Sequence, residues 1–381
     1  MKSMKKDIQF ILKSYLFWRF GTIIIAVLSV RLVPLLGENF FGGKLVNYLN
    51  NPLVWGWSNF DGEHFTSIAL YGYKNLQQFY FPLYPLLIRF VSALFGQELI
   101  NYVWSGIFIS NIALLLALFG LYKLARLDYS EKISKLTVIL ILFFPTSFYF
   151  GAVYTESLFL ALAVWSFYLF RKNEFLLASI LAMFASGSRA VGITLLPAFL
   201  IGMFVNQKPL KRDLLSLFLI PIGLLSYIYY LIINWGGPIK LYRAYTLFGE
   251  QRADHVVLLP QVFYRYIVKI IPNLTWDYFP FVFTVLLEMA TGTLFLYLII
   301  ISIRKIRWDY WIFSVLGYLI PTISGSFSSM PRYVILLFPM FFFLAQTFSK
   351  MKKSLVVGIF VVMSIILFIA QSLFLRGYFI S

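Results

Sequence analysis

Long apolar runs separated by short polar segments dominate the pattern of this chain. A helix needs about 20 consecutive apolar residues to cross a bilayer, and runs near that length recur from Phe17 to Leu375. The pattern therefore predicts an all-α polytopic membrane protein, folded as a single domain over residues 1–381, with about eleven transmembrane helices. We place these helices at Phe17–Leu36, Tyr102–Tyr122, Leu136–Phe150, Ser157–Phe170, Phe175–Ser188, Val191–Val205, Leu214–Trp235, Phe281–Ile303, Tyr310–Ile323, Tyr333–Phe348 and Leu355–Leu375.

Composition and charge agree with this interpretation. The chain is 61% hydrophobic and only 12% charged, whereas soluble domains carry about a quarter charged residues. The net charge of +17 resides in short Lys and Arg clusters between apolar runs, so it reports membrane orientation and does not indicate a nucleic-acid partner. Because the chain has no cysteine, a disulfide framework and thiolate chemistry are excluded.

The basic clusters predict which side of the membrane each connection occupies. Lysines at 2–13 precede the first predicted helix, and a second basic segment, 123–135, follows the second one. The positive-inside rule places both segments, and with them the N-terminus, in the cytoplasm. The later basic clusters then fall on the same side only if Phe79–Phe95, which contains Pro82 and Pro85, lies at the interface without crossing.

Two long extracytoplasmic connections follow from this threading, residues 37–96 and 236–280, and they contain both histidines, His64 and His255. We expect short helices in these loops. If Asp61 opens one of them, His64 lies three residues later on the same face, while Glu63 points elsewhere.

A carboxylate beside an imidazole at a membrane surface can act as a general base. Two alternatives stay open for Asp61. It can cap a helix, either as N-cap or within a capping box that starts at Ser58. Asp61, Glu63 and His64 also include the ligand types that bind divalent metals.

Further polar residues mark the outer ends of later helices. Tyr154 and Glu156 precede one helix, where Glu156 can also serve as an N-terminal charge favoured by the helix dipole. Arg189 and Arg332 suit bidentate phosphate binding, with snorkelling to lipid headgroups as the alternative. Glu288 lies inside a predicted transmembrane helix, and we expect it to face protein or water because a carboxylate is costly in lipid.

Three segments carry a family likeness. The first segment is Asp61-Gly62-Glu63-His64-Phe65 with Phe81-Pro82-Leu83-Tyr84-Pro85. The second segment is Tyr154-Thr155-Glu156-Ser157 with Ser186-Gly187-Ser188-Arg189. The third segment is Pro331-Arg332-Tyr333 with Phe338-Pro339. In this order they resemble the motifs of the PIG-V-like mannosyltransferases, a branch of the GT-C glycosyltransferases. The family often shows Trp-Asp where this chain has Phe60-Asp61.

The resemblance implies a GT-C-like helical bundle with extracytoplasmic loop helices. It also implies an enzyme that transfers a sugar, usually mannose, from a polyprenyl-phosphate-linked donor to an acceptor hydroxyl, with inversion. The acceptor is expected to be a lipid or protein glycan outside the cytoplasm. The expected location is the plasma membrane, or the ER membrane in a eukaryote, among membrane lipids.

By the same resemblance, Asp61 corresponds to the catalytic acid of the first loop and would act as the general base. The remaining site residues are expected in three groups: His64 and Glu63 beside Asp61; Arg189, Arg332 and Arg243 for the donor phosphate, with Arg252 as a weaker candidate; and Tyr154, Glu156 and His255 for substrate. Nothing in the sequence requires a cofactor, and a divalent metal is compatible with it. A flippase or transporter of lipid-linked sugars is the alternative function; it would need ionisable residues near mid-membrane.

Overall fold

The computed structural model describes residues 2–36, 44–206, 211–237 and 255–380. Within these ranges the chain forms helices and turns and contains no β-strand. We number the helices α1 (Lys2–Leu32), α2 (Lys44–Asn50), α3 (Pro52–Trp55), α4 (Asp61–Tyr71), α5 (Leu83–Ser92), α6 (Leu99–Asp128), α7 (Glu131–Leu142), α8 (Glu156–Arg171), α9 (Phe175–Ser188), α10 (Leu195–Asn206), α11 (Lys211–Ser216), α12 (Ile220–Trp235), α13 (Leu259–Tyr264), α14 (Phe279–Ser302), α15 (Trp308–Thr322), α16 (Met330–Val334), α17 (Phe338–Ser349) and α18 (Lys353–Leu375).

Five stretches of helix are long and apolar enough to cross a membrane, by length and composition, among the residues described. They are Lys5–Leu32, Leu99–Asp128, Lys211–Trp235, Phe279–Ser302 and Lys353–Leu375. Shorter apolar helices of 10–17 residues accompany them. The prediction of an all-α polytopic membrane protein is confirmed, whereas the count of about eleven spans stays a prediction.

Two predicted spans are wrong as continuous helices. The predicted span Leu136–Phe150 breaks because α7 ends at Leu142, shortly before Pro145, which disfavours helical backbone in the residue that precedes it. The predicted span Tyr333–Phe348 is divided between α16 and α17, and Pro339 occupies the first turn of α17. Irregular backbone at these breaks lies inside the protein, where other protein groups can satisfy it.

The predicted loop helices are present in the described part of the first long connection. The helix α5 spans 10 residues, too few to cross a bilayer, and the interfacial position of Phe79–Phe95 stays a prediction. Glycines permit close packing behind these helices: a Cβ on Gly106 of α6 would lie 2.6 Å from the side chain of Val153. The backbone N–H of Val153 in turn donates to the carbonyl of Trp57 at 2.9 Å. The start of α4 and the start of α8 are thereby brought together.

Candidate active site

The segment before α4 is fixed by the last helix of the chain. The side-chain amide of Asn59 donates to the carbonyl of Phe374 at 3.0 Å. Phe60 has a φ of 56°, a sparsely populated region for a bulky residue, and its ring packs against Phe374 and Phe379. These contacts set the direction in which the next residue, Asp61, leaves the backbone.

Asp61 is the first residue of α4, and its carboxylate makes no cap. Phe60 occupies the N-cap position, and the hydroxyl of Ser58 is buried without a hydrogen-bond partner among the described residues. The carboxylate instead accepts a hydrogen bond from the Tyr80 hydroxyl at 3.0 Å and pairs with Nη1 of Arg332 at 2.8 Å. Both cap interpretations of Asp61 are therefore wrong.

Arg332 joins two carboxylates. While its Nη1 pairs with Asp61, its Nε donates to Oε1 of Glu156 at 3.0 Å. The guanidinium also lies over the rings of Tyr149 and Tyr154, at 4.9 Å and 4.7 Å from their centroids. Such contacts with aromatic faces stabilise a desolvated cation. Asp61, Glu156 and the two tyrosine rings together hold the Arg332 guanidinium.

The second predicted arginine meets the same glutamate. Nη1 of Arg189 donates to Oε1 of Glu156 at 2.8 Å and to the hydroxyl of Thr155 at 2.9 Å. Its guanidinium lies 5.3 Å from the ring centroid of Tyr333. Glu156 thus holds both arginines, and we call Asp61, Glu156, Arg189 and Arg332 the Asp61 cluster.

Burial distinguishes the two carboxylates of the cluster. The side chain of Glu156 is fully buried, whereas that of Asp61 is 24% exposed. The second oxygen of Glu156, Oε2, is buried with no hydrogen-bond partner in the part of the chain that the structure describes. The cluster therefore offers one accessible carboxylate at its surface, backed by two arginines that a buried carboxylate holds in place.

The electrostatic surroundings keep Asp61 ionised. Burial alone raises the pKa of the Asp61 carboxyl, but the Arg332 guanidinium, the nearby His64 and the Tyr80 hydroxyl outweigh burial and bring this pKa below its ordinary value. Burial lowers the pKa of His64, against the opposing effect of the Asp61 charge. At neutral pH the cluster therefore presents a carboxylate beside a neutral imidazole.

His64 also contacts the residues around Asp61. Its ring stacks on Tyr80 with centroids 4.9 Å apart, and its Nδ1 lies 3.3 Å from the side-chain nitrogen of Gln77. Glu63 lies on another face of α4, where burial raises the pKa of its carboxyl and Lys44 partly offsets the increase. No group of three or more His, Asp or Glu side chains suited to a metal ion occurs within residues 2–36, 44–206, 211–237 and 255–380.

The other predicted residues have different positions. Tyr154 is buried beneath Arg332, and its hydroxyl donates to the carbonyl of Asn59 at 3.0 Å. The observed contacts of Tyr154 and Glu156 favour a role in holding the arginines of the cluster. Direct contact of these two residues with substrate stays a prediction. His255 has an exposed side chain shortly before α13, and Arg243 and Arg252 lie outside the described residues.

Four residues that contact the cluster were not predicted as site residues: Tyr80, Tyr149, Thr155 and Tyr333. Tyrosine is frequent in this chain, with 25 copies, so nothing in the sequence distinguishes Tyr80 and Tyr149 from the others. Thr155 stands beside Glu156 in a motif already noted, and its hydroxyl contact with Arg189 depends on the approach of α9.

Comparison with known proteins places the chain in a family. The family model described as Mannosyltransferase (PIG-V) matches residues 12–255. GPI mannosyltransferase 2 from two strains of Cryptococcus neoformans var. neoformans serotype D is 31% identical over 142 residues, covering 35% of this chain and 33% of the relative. The chain thus aligns with about a third of the length of these curated relatives.

Two solved structures of the Archaeoglobus fulgidus oligosaccharyltransferase are also similar. The apo form matches with a TM-score of 0.48 and 11% identity, covering 97% of this chain and 56% of that one. The same enzyme, AglB, in complex with an inhibitory peptide and a dolichol-phosphate matches with a TM-score of 0.43 and 12% identity, covering 96% and 56%. Since the family model spans more than half of its length, the chain belongs to the PIG-V mannosyltransferase family.

Proposed function

We propose that this protein transfers mannose from a polyprenyl-phosphate-linked donor to the hydroxyl of a lipid or protein glycan on the extracytoplasmic side of the membrane. The observation that carries the proposal is the contact between the partly exposed Asp61 carboxylate and the Arg332 guanidinium, 2.8 Å apart. A base and a phosphate-binding cation are the two groups that this reaction needs most.

Asp61 is the proposed general base. It takes the proton of the acceptor hydroxyl as the acceptor oxygen bonds to the anomeric carbon of mannose. The bond from that carbon to the phosphate oxygen breaks, and its electron pair stays on the departing lipid phosphate. One displacement inverts the anomeric carbon and requires no carboxylate nucleophile, in contrast to retaining glycoside hydrolysis.

Arg189 and Arg332 are the proposed partners of the phosphate. The leaving group is an anion, so planar guanidinium groups stabilise it better than an acid would. Arg332 is also proposed to control the basicity of Asp61, because a phosphate that approaches Arg332 competes with Asp61 for the same guanidinium. Weakening of the Asp61 pair on donor binding would raise the proton affinity of the base when it is needed.

His64 and Tyr80 are proposed to orient Asp61. The Tyr80 hydroxyl donates to Oδ1 of Asp61, and the His64 ring restricts Tyr80 by stacking on it. Mannose as the sugar is supported by the family and by the name of the curated relatives. The acceptor is left as a chemical class, since the matched stretch covers about a third of those relatives.

The test uses the purified full chain in proteoliposomes with polyprenyl-phosphate-mannose and a panel of membrane-derived acceptors. Release of lipid phosphate that depends on an acceptor, together with an inverted anomeric linkage in the product, is the expected result. The matched control is the Asp61→Asn variant, which should bind donor and release lipid phosphate about 10²–10⁴-fold more slowly. Translocation of the donor across the bilayer without any release would instead identify a flippase.

A further inference from the structure

A buried carboxylate in α14 lies outside the Asp61 cluster and has no part in the chemistry proposed above. Glu288 is 3% exposed and stands nine residues after the start of α14, one of the helices apolar enough to cross the membrane. A carboxylate in such a helix is costly unless protein groups satisfy it. Its partners therefore indicate what it does.

Glu288 connects three segments of the chain. Its Oε2 accepts a hydrogen bond from the hydroxyl of Tyr266 at 2.7 Å, and its Oε1 lies 3.3 Å from the backbone nitrogen of Ser329. The Tyr266 hydroxyl is also 3.3 Å from the hydroxyl of Ser326. Ser329, which contacts Glu288 directly, and Ser326, which contacts it through Tyr266, belong to the short segment that leads into α16.

Ser329 is the turning point of that segment. It has a φ of 65° in the left-handed region, which is uncommon for a residue other than glycine. Its carbonyl accepts the backbone N–H groups of Arg332 at 3.0 Å and Tyr333 at 3.1 Å. The residue that donates to Glu288 is thus the residue on which the single turn carrying Arg332 begins.

The helix α16 is too short to fix its own direction. It has five residues, and a helix of this length has little stability without external contacts. Its far side is held by Thr146, whose hydroxyl donates to the carbonyl of Pro331 at 2.8 Å. Glu288 supplies the contact at its beginning.

We propose that Glu288 is a positioning residue that holds the start of α16 and thereby keeps the Arg332 guanidinium between Asp61 and Glu156. This inference rests on the proposed function for its catalytic consequence. A carboxylate suits the task because it accepts two hydrogen bonds at once, one from a phenol and one from a strained backbone.

The test compares Glu288→Ala, Glu288→Gln and Thr291→Val in the full chain. Thr291 is the matched control, because it is buried on the same helix and, among the residues that the structure describes, its hydroxyl bonds only to carbonyls of that helix. The Ala variant should raise the KM for donor by about tenfold or more, since a hydrogen bond to a charged group is lost. The Gln variant keeps one acceptor oxygen and should recover part of this loss, whereas the Val variant should keep the wild-type KM.

Hydrogen exchange gives a readout that needs no activity. Amides of the segment 326–334 should exchange faster in Glu288→Ala than in wild type and Thr291→Val, while peptides of α4 stay unchanged. If the Ala variant does not fold, Glu288→Asp replaces it, because withdrawing the carboxylate by about 1.5 Å should break the contact with Ser329.

The outcomes separate the two proposals. Exchange in 326–334 and a donor KM both equal to wild type in the Ala or Asp variant would overturn the positioning role. A wild-type protein that transfers no mannose would overturn the proposed function, and the exchange data would still decide whether Glu288 holds the segment. A fall in melting temperature with unchanged exchange and KM would show that Glu288 serves stability alone.

Discussion

The two ends of α8 carry two clusters of charged residues that differ in how their arginines and carboxylates are paired. Glu156 begins this 16-residue helix within the Asp61 cluster, and Arg171 ends it, about 22 Å away. Arg171 donates both terminal nitrogens to the two oxygens of Asp128, at 2.5 Å and 2.8 Å, and the Tyr310 hydroxyl is 3.2 Å from the same carboxylate. We call these three residues the Asp128 cluster.

The difference lies in how the charges are matched. Arg171 pairs both terminal nitrogens with one carboxylate, the geometry that best satisfies an Arg–carboxylate pair, and its Nη1 also donates to the Tyr310 hydroxyl at 3.0 Å. Arg332 divides its fork between Asp61 and Glu156, and Oε2 of Glu156 has no hydrogen-bond partner among the described residues. Exposure does not separate the clusters, because Asp128 is 20% exposed and Asp61 24%. The Arg171–Asp128 pair therefore suits a structural role. Arg332, which is shared by two carboxylates, can exchange one of them for a phosphate.

The largest expected difference between the two ends of α8 is the side of the membrane on which each end lies. Lys74 follows α4 near the Asp61 cluster, and Lys132 lies at the start of α7, near the end of α6 that carries Asp128; both are exposed. Because the chain has no cysteine, single cysteines at these positions report alone. An impermeant thiol reagent on intact cells should label Lys74→Cys and leave Lys132→Cys unlabelled until the membrane is opened. Labelling of position 132 from outside would reverse the orientation.

The next largest effect is expected from Asp61→Asn. The amide has no useful proton affinity, so transfer should fall by about 10²–10⁴-fold, the usual contribution of general-base catalysis. Expression and donor binding should persist, because the amide oxygen can still accept from Tyr80. Asp128→Asn is the control, expected to keep most transfer and to melt at a lower temperature. Near-normal transfer by Asp61→Asn would move the base to Glu63 or to the second long loop.

Replacing an arginine by lysine should separate the effect of the planar guanidinium group from the effect of its positive charge. Arg332→Lys and Arg189→Lys keep the cation and lose planar bidentate bonding, so the ratio kcat/KM for donor should fall by about tenfold to a hundredfold, less than a lost oxyanion donor costs. Arg171→Lys, in the Asp128 cluster, should lower thermal stability and leave this ratio within about threefold of wild type. Unchanged donor binding in the Ala variants of Arg189 and Arg332 would limit both arginines to a structural role within the Asp61 cluster.

The smallest expected effect concerns pH. The pKa of Asp61 is below its ordinary value, so its base form persists as pH falls and is lost only below the ordinary range of aspartate. Tyr80→Phe removes a hydrogen bond that lowers this pKa, so the acidic limb of the kcat/KM profile should move to higher pH. The rate at pH 7 should change by less than about tenfold.

The control for this profile is Tyr84→Phe. Tyr84 is a fully buried tyrosine whose hydroxyl donates to the carbonyl of Gly106. An acidic limb that moves equally in Tyr80→Phe and Tyr84→Phe would show that the shift has another cause than the hydrogen bond to Asp61.

Local features of the fold could be predicted because they depend on nearby residues. Apolar length gave the membrane class, and the start of α4 at Asp61 agrees with the expected loop helix. The ends of α7 and α16 could have been anticipated from Pro145 and Pro339, although a proline within an apolar run does not by itself tell a kink from a break. The burial of Glu288 agrees with the expectation that it faces away from lipid.

The sequence by itself determined that this chain is a helical membrane protein with an acid in its first long loop and arginines in later motifs. Only the tertiary structure decided that these residues meet. Arg332 and Glu156 bond across 176 residues, and no periodicity encodes such a contact, because it depends on how the starts of α4, α8 and α16 pack together. The physical reason is that a membrane helix forms from its own backbone hydrogen bonds, whereas a shared cation requires several segments to pack around it at once.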